Sequence, residues 1–326
     1  MQVHRDINNL PLFNNAVITI GTFDGVHTGH LQIINQLKKQ AEAINGETVI
    51  ITFHPHPRMV LKNPVSTKPG KAFEEIKLLN TLSEKTELLK KQKIDHLVIA
   101  PFTFAFSEQS AQEYISDFLV SKFHPHTIII GYDHQFGKNR SGDYKLLENY
   151  QDTYNYTVKE IPEHVLHNVI ISSTKIRHSL SEGNITDANE ALGYSYFFEG
   201  KVVEGNKLGR TLGYPTANIE ITDNSKLIPR DGVYAVEVSI NNDETGLKNI
   251  AHHIGMMNIG IRPTIGGTKR IIEVNIFDFD KSIYNNTIRV HIKNYLRPEI
   301  KFSGLEELKI QLAADKKNAQ KILNAG

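Results

Sequence analysis

Along the first half of the chain, short apolar runs alternate with longer segments in which apolar residues recur every three or four positions. NAVITIG (15–21), ETVIITF (47–53), IDHLVIA (94–100) and HTIIIG (126–131) read as strands, with HLQIINQLKKQAEAI (30–44) and SAQEYISDFLVSKF (110–123) as amphipathic helices between them. Apolar strands joined by helices predict a parallel sheet with crossover helices. From about residue 196 the period changes to two: GVYAVEVSI (232–240), KRIIEVNIFDFD (269–280) and NTIRVHI (286–292) alternate and are punctuated by Gly, Asn and Pro. That texture predicts an antiparallel sandwich or small barrel. A last helix, GLEELKIQLAADKKNAQKIL (304–323), aligns Leu305, Leu308, Leu312, Ala319 and Ile322 in one stripe, expected to lie on the barrel. The polar stretch SLSEGNITDANEALG (179–193) separates the two textures, so the expected domains are 1–182 and 183–326. No internal repeat or low-complexity tract interrupts either.

Composition narrows the function classes. A chain of 326 residues exceeds what one core usually fills, which agrees with two domains. Its 37 Lys and Arg against 36 Asp and Glu are balanced in each half, 19 against 19 up to residue 182 and 18 against 17 after it. Without a basic footprint, nucleic acid is not an expected partner. The absence of cysteine removes thiolate chemistry and Cys-based zinc sites and suits a reducing compartment. No basic segment followed by an apolar one opens the chain, and the greasiest passage, HLVIAPFTFAF (96–106), is too short and interrupted to span a bilayer. A cytoplasmic protein with no membrane partner is expected; its oligomeric state stays open.

The first candidate chemistry lies in GTFDGVHTGH (21–30), a strand-to-helix turn with two histidines three positions apart. At the first turn of a helix beginning near Thr28, His27 and His30 would share one face beside free N–H groups and the positive end of the helix dipole. Gly25 and Gly29 would let a phosphate approach the main chain. A zinc pair and two structural histidines are the alternatives, although HTGH lacks the Glu of a metalloprotease HExxH. TFHPHPR (52–58) offers His54, His56 and Arg58 at the end of another strand, and ISSTKIRHSL (171–180) offers Ser172, Ser173 and Thr174 with Lys175 and Arg177 behind. Gathered at the carboxyl ends of parallel strands, the three segments favour a triphosphate site.

The second candidate lies in GKVVEGNKLGRTLGYPTANI (200–219). Gly200 and Gly205 have P-loop separation, but Asn206 stands where Lys should follow and the strand texture forbids the required helix. Instead, Gly205, Gly209 and Gly213 suit a loop folded over phosphates, and the Thr216 hydroxyl and Asn218 amide oxygen suit a hard cation such as Mg²⁺. Glu273, alone among apolar residues of a strand, is expected to face into the barrel, where a buried carboxylate needs a partner or a task such as general base. Ile271, Asn275 and Phe277 would share its face; an edge-strand Glu facing water is the alternative.

GTFDGVHTGH, TFHPHP, FTFAFSEQSAQEYI, GYDHQFGKNRSGD and ISSTKIR, in that order, closely resemble the adenylyltransferase module of bacterial bifunctional riboflavin kinase/FAD synthetases. GRTLGYPTANI, GVYAV, NIGIRPTIGG, EVNIFDFD and YLRPEIKFSGLEELKIQL resemble the kinase module of the same enzymes, so the resemblance covers essentially the whole chain. It implies a Rossmann-like HxGH nucleotidylyltransferase domain followed by a six-stranded antiparallel β-barrel with a C-terminal helix, an α/β plus β chain. It implies phosphorylation of riboflavin to FMN, then transfer of AMP from ATP to FMN, giving FAD and pyrophosphate, with ATP and Mg²⁺ at both steps.

Carried over residue by residue, His27 and His30 would steady the α-phosphate, within an ATP site that includes Gly21, Phe23, Asp24, Gly25, Gly29 and His56. Ser173, Thr174 and Arg177 would hold the leaving pyrophosphate. In the kinase module Gly205, Gly209, Arg210, Gly213 and Pro215 would surround ATP, Thr216 and Asn218 would coordinate its Mg²⁺, and Glu273 would be the base. Asp133, Phe136 and Arg297 are the implied flavin contacts. His134 stands where many relatives carry Phe, and Asn275 where many carry His, which leaves the roles of both open.

Overall fold

The apolar runs of the first half pair into one parallel sheet. In the computed structural model, which describes residues 1–61, 76–161, 171–205, 208–240, 251–264 and 267–324, contacts divide the chain into two units, Met1–Ser173 and Thr174–Gly326.

In the first unit, β1 (Gln2–His4), β2 (Val17–Ile20), β3 (Thr48–His54), β4 (His96–Pro101), β5 (Thr127–Gly131) and β6 (Thr157–Ile161) form a six-stranded sheet in the order β1-β4-β3-β2-β5-β6. Every pairing is parallel. Strand order reverses at β2, with β3 on one side and β5 on the other, so the carboxyl end of β2 is the switch point where ligands of such sheets bind. Helix α1 (Thr28–Ala43) follows β2 directly, burying Ile34, Leu37 and Ala41 on its core face. Helix α2 (Leu82–Lys91) opens with a capping box in which Thr81 and Glu84 satisfy each other's backbone donors. The expected helix at 110–123 is continuous from Ala111 to Phe123, but Tyr114–Val120 winds as a π-helix.

In the second unit, α3 (Ser173–Glu182, whose first residue belongs to the preceding unit) and α4 (Ile185–Leu192) lead into β7 (Phe197–Val203), β8 (Ala217–Glu220), β9 (Gly232–Ile240), β10 (Ala251–Thr264), β11 (Gly267–Ile276) and β12 (Thr287–Arg297). These six strands close into a barrel in the order β10-β11-β8-β7-β12-β9. Helix α5 (Leu305–Leu323) lies on it through Ala319, which packs with Ala235, Met256 and Phe277, while Leu312, Ile322 and Leu323 seal the edges. The expected stripe runs one turn too far: Leu305 is exposed, because the helix meets the barrel only beyond its first turn.

Candidate active sites

In the first unit, residues 21–27 make an abrupt link from β2 to α1. Phe23, Gly25 and Val26 all have positive φ (46°, 89° and 39°). For a β-branched valine this is a costly conformation, of the kind retained where a loop's shape matters. The loop is held from below. Asp24, almost completely buried, accepts the N–H groups of Leu79 and Asn80 (2.9 and 3.3 Å), and its carbonyl accepts the Ser173 hydroxyl at 2.9 Å. Thr52 and Lys85 both donate to the Thr22 carbonyl, at 3.1 and 2.6 Å.

His27 lies one residue before α1 as its N-cap, and its Nδ1 accepts the N–H of His30 at 3.3 Å. The two rings stack with centroids 3.6 Å apart. A nitrogen that accepts cannot carry the proton, so the neutral form of the His27 ring that makes this cap bears its proton on Nε2. His56 repeats the device, its Nδ1 accepting the N–H of Arg58 at 3.1 Å. Burial, and then the charges of His27 and Lys85, hold the pKa of His30 well below the ordinary histidine value, and its buried Nδ1 has no hydrogen-bond partner. His30 is therefore neutral at pH 7. Gly21 and Gly29 lie against the rings of Phe23 and His27.

Thr174 and Arg177 follow Ser173 on α3, whose inward residues are Ile176 and Leu180. Of the implied flavin contacts, Phe136 is buried and stacked on Tyr114 (4.9 Å), and Asp133 is exposed. His134 lies between them with its Nε2 buried and unpartnered, and burial pushes its pKa down to about 4. Sequence reasoning missed Lys85. Its signal is a lysine at core spacing with Leu88 and Leu89, all three buried on α2.

In the second unit a cavity of about 1020 Å³ is bounded by the barrel wall, by residues 203–205 and 209–221 and by α5. Asn218, Glu273, Asn258 and Val233 are direct cross-strand partners from β8, β11, β10 and β9, and all four line it. This corrects the expectation that Glu273 faces into the barrel. Alternation puts Ile272, Val274 and Ile276 inside, with Met257 and Ile259 opposite them, while Glu273 shares the outer face with Met256 and Asn258. Asn275, on that same face, donates from Nδ2 to the Pro215 carbonyl at 2.7 Å, steadying the turn before Thr216. Phe277 follows the end of β11 and is buried against α5.

Gly205 and Asn218 meet so closely that a Cβ on the glycine would fall 2.1 Å from the amide nitrogen. Gly209, Thr216 and Asn218 line the same cavity; Arg210 lies in the last turn of a short helix, Leu208–Thr211, and Gly213 and Pro215 belong to the turn after it. Asn206 lies outside the described residues. No cluster of three metal-ligating side chains occurs among the described residues, so a cation here would need oxygens from its ligand. That is how Mg²⁺ binds with a nucleotide, and one hydroxyl and one amide oxygen fit it. Arg297 lines the cavity too, but its guanidinium grips Asp315 of α5 through Nε (2.9 Å) and Nη2 (2.6 Å). Asn258, Arg262 and Glu299 were not singled out from sequence, although the alternation in NIGIR (258–262) puts Asn258 and Arg262 on one face.

Comparison with known proteins assigns a family to each half. Residues 11–175 match the FAD synthetase family and residues 192–323 the riboflavin kinase family. Curated bifunctional riboflavin kinase/FMN adenylyltransferases align along the chain: that of Listeria monocytogenes is 36% identical over 94% of this chain and 92% of its own. That of Haemophilus influenzae is 33% identical over the whole of both, and one from Buchnera aphidicola 37% identical over 99% of each. Among solved structures, a Streptococcus pneumoniae chain described as a macrolide-efflux protein superposes with a TM-score of 0.83 at 29% identity over 98% of both chains. Among the described residues no helix is long and apolar enough to cross a membrane.

Proposed function

Because the chain belongs to the family of bifunctional riboflavin kinases/FMN adenylyltransferases, we propose that its two halves, 1–182 and 183–326, perform the two steps with the residues placed above. The C-terminal half is the riboflavin kinase and the N-terminal half the FMN adenylyltransferase.

In the kinase step the terminal ribityl hydroxyl attacks the γ-phosphorus of ATP, and Glu273 takes its proton. Thr216 and Asn218 would hold Mg²⁺, which neutralises phosphate charge when bound. Gly205, Gly209, Arg210, Gly213 and Pro215 form the segment that covers the phosphates, and Asn258 fixes the other side of the base. Arg297 supports the flavin side of the cavity through its hold on α5.

In the adenylyl step the FMN phosphate, already anionic at pH 7, attacks the α-phosphorus, so no general base is needed. His27 donates from Nε2 to the oxygens that gain charge, and neutral His30 stacks behind it. The positive end of the α1 dipole adds to this stabilisation. Gly21, Phe23, Asp24, Gly25, Gly29 and His56 shape the ATP site; Ser173, Thr174 and Arg177 receive pyrophosphate, and Asp133 and Phe136 receive the flavin. A cytoplasmic location belongs to the same reading.

The observation that carries it is that each unit has its own phosphate-directed geometry: a histidine-capped helix at a sheet switch point, and a carboxylate flanked by two amides on a barrel wall. The test is a time course of the purified full chain with riboflavin, ATP and Mg²⁺, the flavins being separated by chromatography. FMN should appear first and FAD after it; FMN that never proceeds, or no FMN at all, overturns the assignment of the corresponding half.

A further inference from the structure

Among the described residues, three cations line the cavity of the second unit: Arg262, Arg270 and Arg297. Two are fully engaged. Arg270 donates from Nε to Asp231 at 2.6 Å and from its terminal nitrogens to the carbonyls of Ile228 and Pro229. Arg297 holds Asp315 with Nε and Nη2 and the Pro298 carbonyl with Nη1.

Arg262 is held by one arm. Its Nη1 lies 2.9 Å from Glu299 and 3.4 Å from the Ile261 carbonyl, whereas Nη2 stands 3.9 Å from the Glu273 carboxylate, beyond hydrogen-bond reach. The arrangement is built: Asn258, Gly260 and Arg262 alternate along one face of β10, and Glu299 lies over the middle residue. A Cβ on Gly260 would fall 1.9 Å from the Glu299 carboxylate, which also accepts Asn258 Nδ2 at 3.2 Å. Glu299 thus orients an arginine whose remaining arm faces the residue read here as the base.

A phosphoryl group in transfer spreads negative charge over three equatorial oxygens, and a cation placed on them stabilises that state more than the bound substrate. We propose that Arg262 clasps the transferring γ-phosphoryl group in riboflavin phosphorylation, turning Nη2 from Glu273 to the phosphoryl oxygens while Glu299 keeps Nη1. The assignment rests on Glu273 being the base. As the ribityl oxygen bonds to the γ-phosphorus, its proton passes to Glu273, and the bond to the β,γ-bridging oxygen breaks, its electron pair leaving with ADP. Arg262 gives and takes no proton.

The test uses the full chain with Arg262→Met, Arg262→Lys, Glu299→Gln and, in parallel, Glu273→Gln. Riboflavin binding with Mg–ADP, followed by flavin fluorescence, checks that the second unit remains folded in each. Arg262→Met should lower kcat for FMN formation by about 10²–10³, the usual effect of losing a charge-stabilising donor, with KM for ATP within about threefold. Added guanidinium should restore part of the rate, and Arg262→Lys and Glu299→Gln should fall between. A kcat within threefold of wild type for Arg262→Met, or a raised KM for ATP at unchanged kcat, overturns the clasp. If Glu273→Gln is slow while Arg262→Met is not, only the clasp fails; if neither is slow, the base assignment fails with it.

Discussion

Replacing Asp315 by Ala should loosen the second unit without touching the first. The Asp315 side chain is 3% exposed and its partner Arg297 18%, so water screens the pair little and no discount for surface exposure applies. The carboxylate accepts from Arg297 Nε and Nη2 and from Gln311 Nε2. Its removal leaves a cation on a covered face with the Pro298 carbonyl and the Phe302 ring but no counter-charge on its Nε and Nη2. Breaking one side of such a pair costs about 3–5 kcal/mol, and at about 2–4 °C per kcal/mol for a unit of this size the transition should drop by about 6–20 °C. Differential scanning calorimetry of the full chain measures it, each transition being assigned by which activity disappears on heating. Riboflavin phosphorylation should be lost at the lowered transition while FAD formation from supplied FMN keeps its wild-type profile. Arg297→Met combined with Asp315→Leu should recover much of the loss, since an apolar pair leaves no charge unpaired. A single variant within about 1 kcal/mol of wild type, or a double variant no better than the single, refutes the reasoning.

Glu273→Gln should slow FMN formation by about 10²–10⁴ while FAD formation from FMN is unchanged; joint loss in a folded protein contradicts separate sites. His30→Ala should abolish FAD synthesis and spare riboflavin phosphorylation, and an equal fall in FMN output would undo that division. Burial pushes His134 and His291 down to about 4. Below pH 6.5 the unfolded chain therefore takes up protons that the folded one refuses. Stability, full above pH 6.5, should decline toward pH 4 by up to about 1.4 kcal/mol per pH unit per histidine. Melting temperatures against pH should show that slope, flattened by His134→Phe in the first unit and by His291→Phe in the second; unflattened slopes contradict the assignment.

The sheet and barrel were legible because period and length carried them: VITI is followed after a short link by a helix starting at Thr28, where the helical pattern of HLQIINQLKKQ placed it, and GVYAVEVSI coincides with β9. The face of Glu273 was not. Alternation tells which residues share a side, but both sides of this barrel wall are covered, one by the core and one by α5, so burial alone does not say which is inside. Lys85 and Glu299 escaped for a different reason: each acts through a contact distant in sequence, with Thr22 and with Arg262. The spacing of Lys85 with Leu88 and Leu89 signals its burial, but no local pattern encodes the partner of either residue. Arg297 entered only through the resemblance, as an implied flavin contact, and its hold on Asp315 of α5 is not encoded in its own segment.

The cap of α1 is made by the same ring that is read as serving the chemistry, and only one of that ring's nitrogens is needed for the cap. Aspartate also caps helices well, through a carboxylate oxygen in place of Nδ1. His27→Asp would therefore keep the backbone anchored while removing the ring N–H read as donating to phosphate, since an ionised carboxylate only accepts, silencing one half of a two-step enzyme and leaving the other. A chain so altered would stop at FMN, and the helix would not register the change.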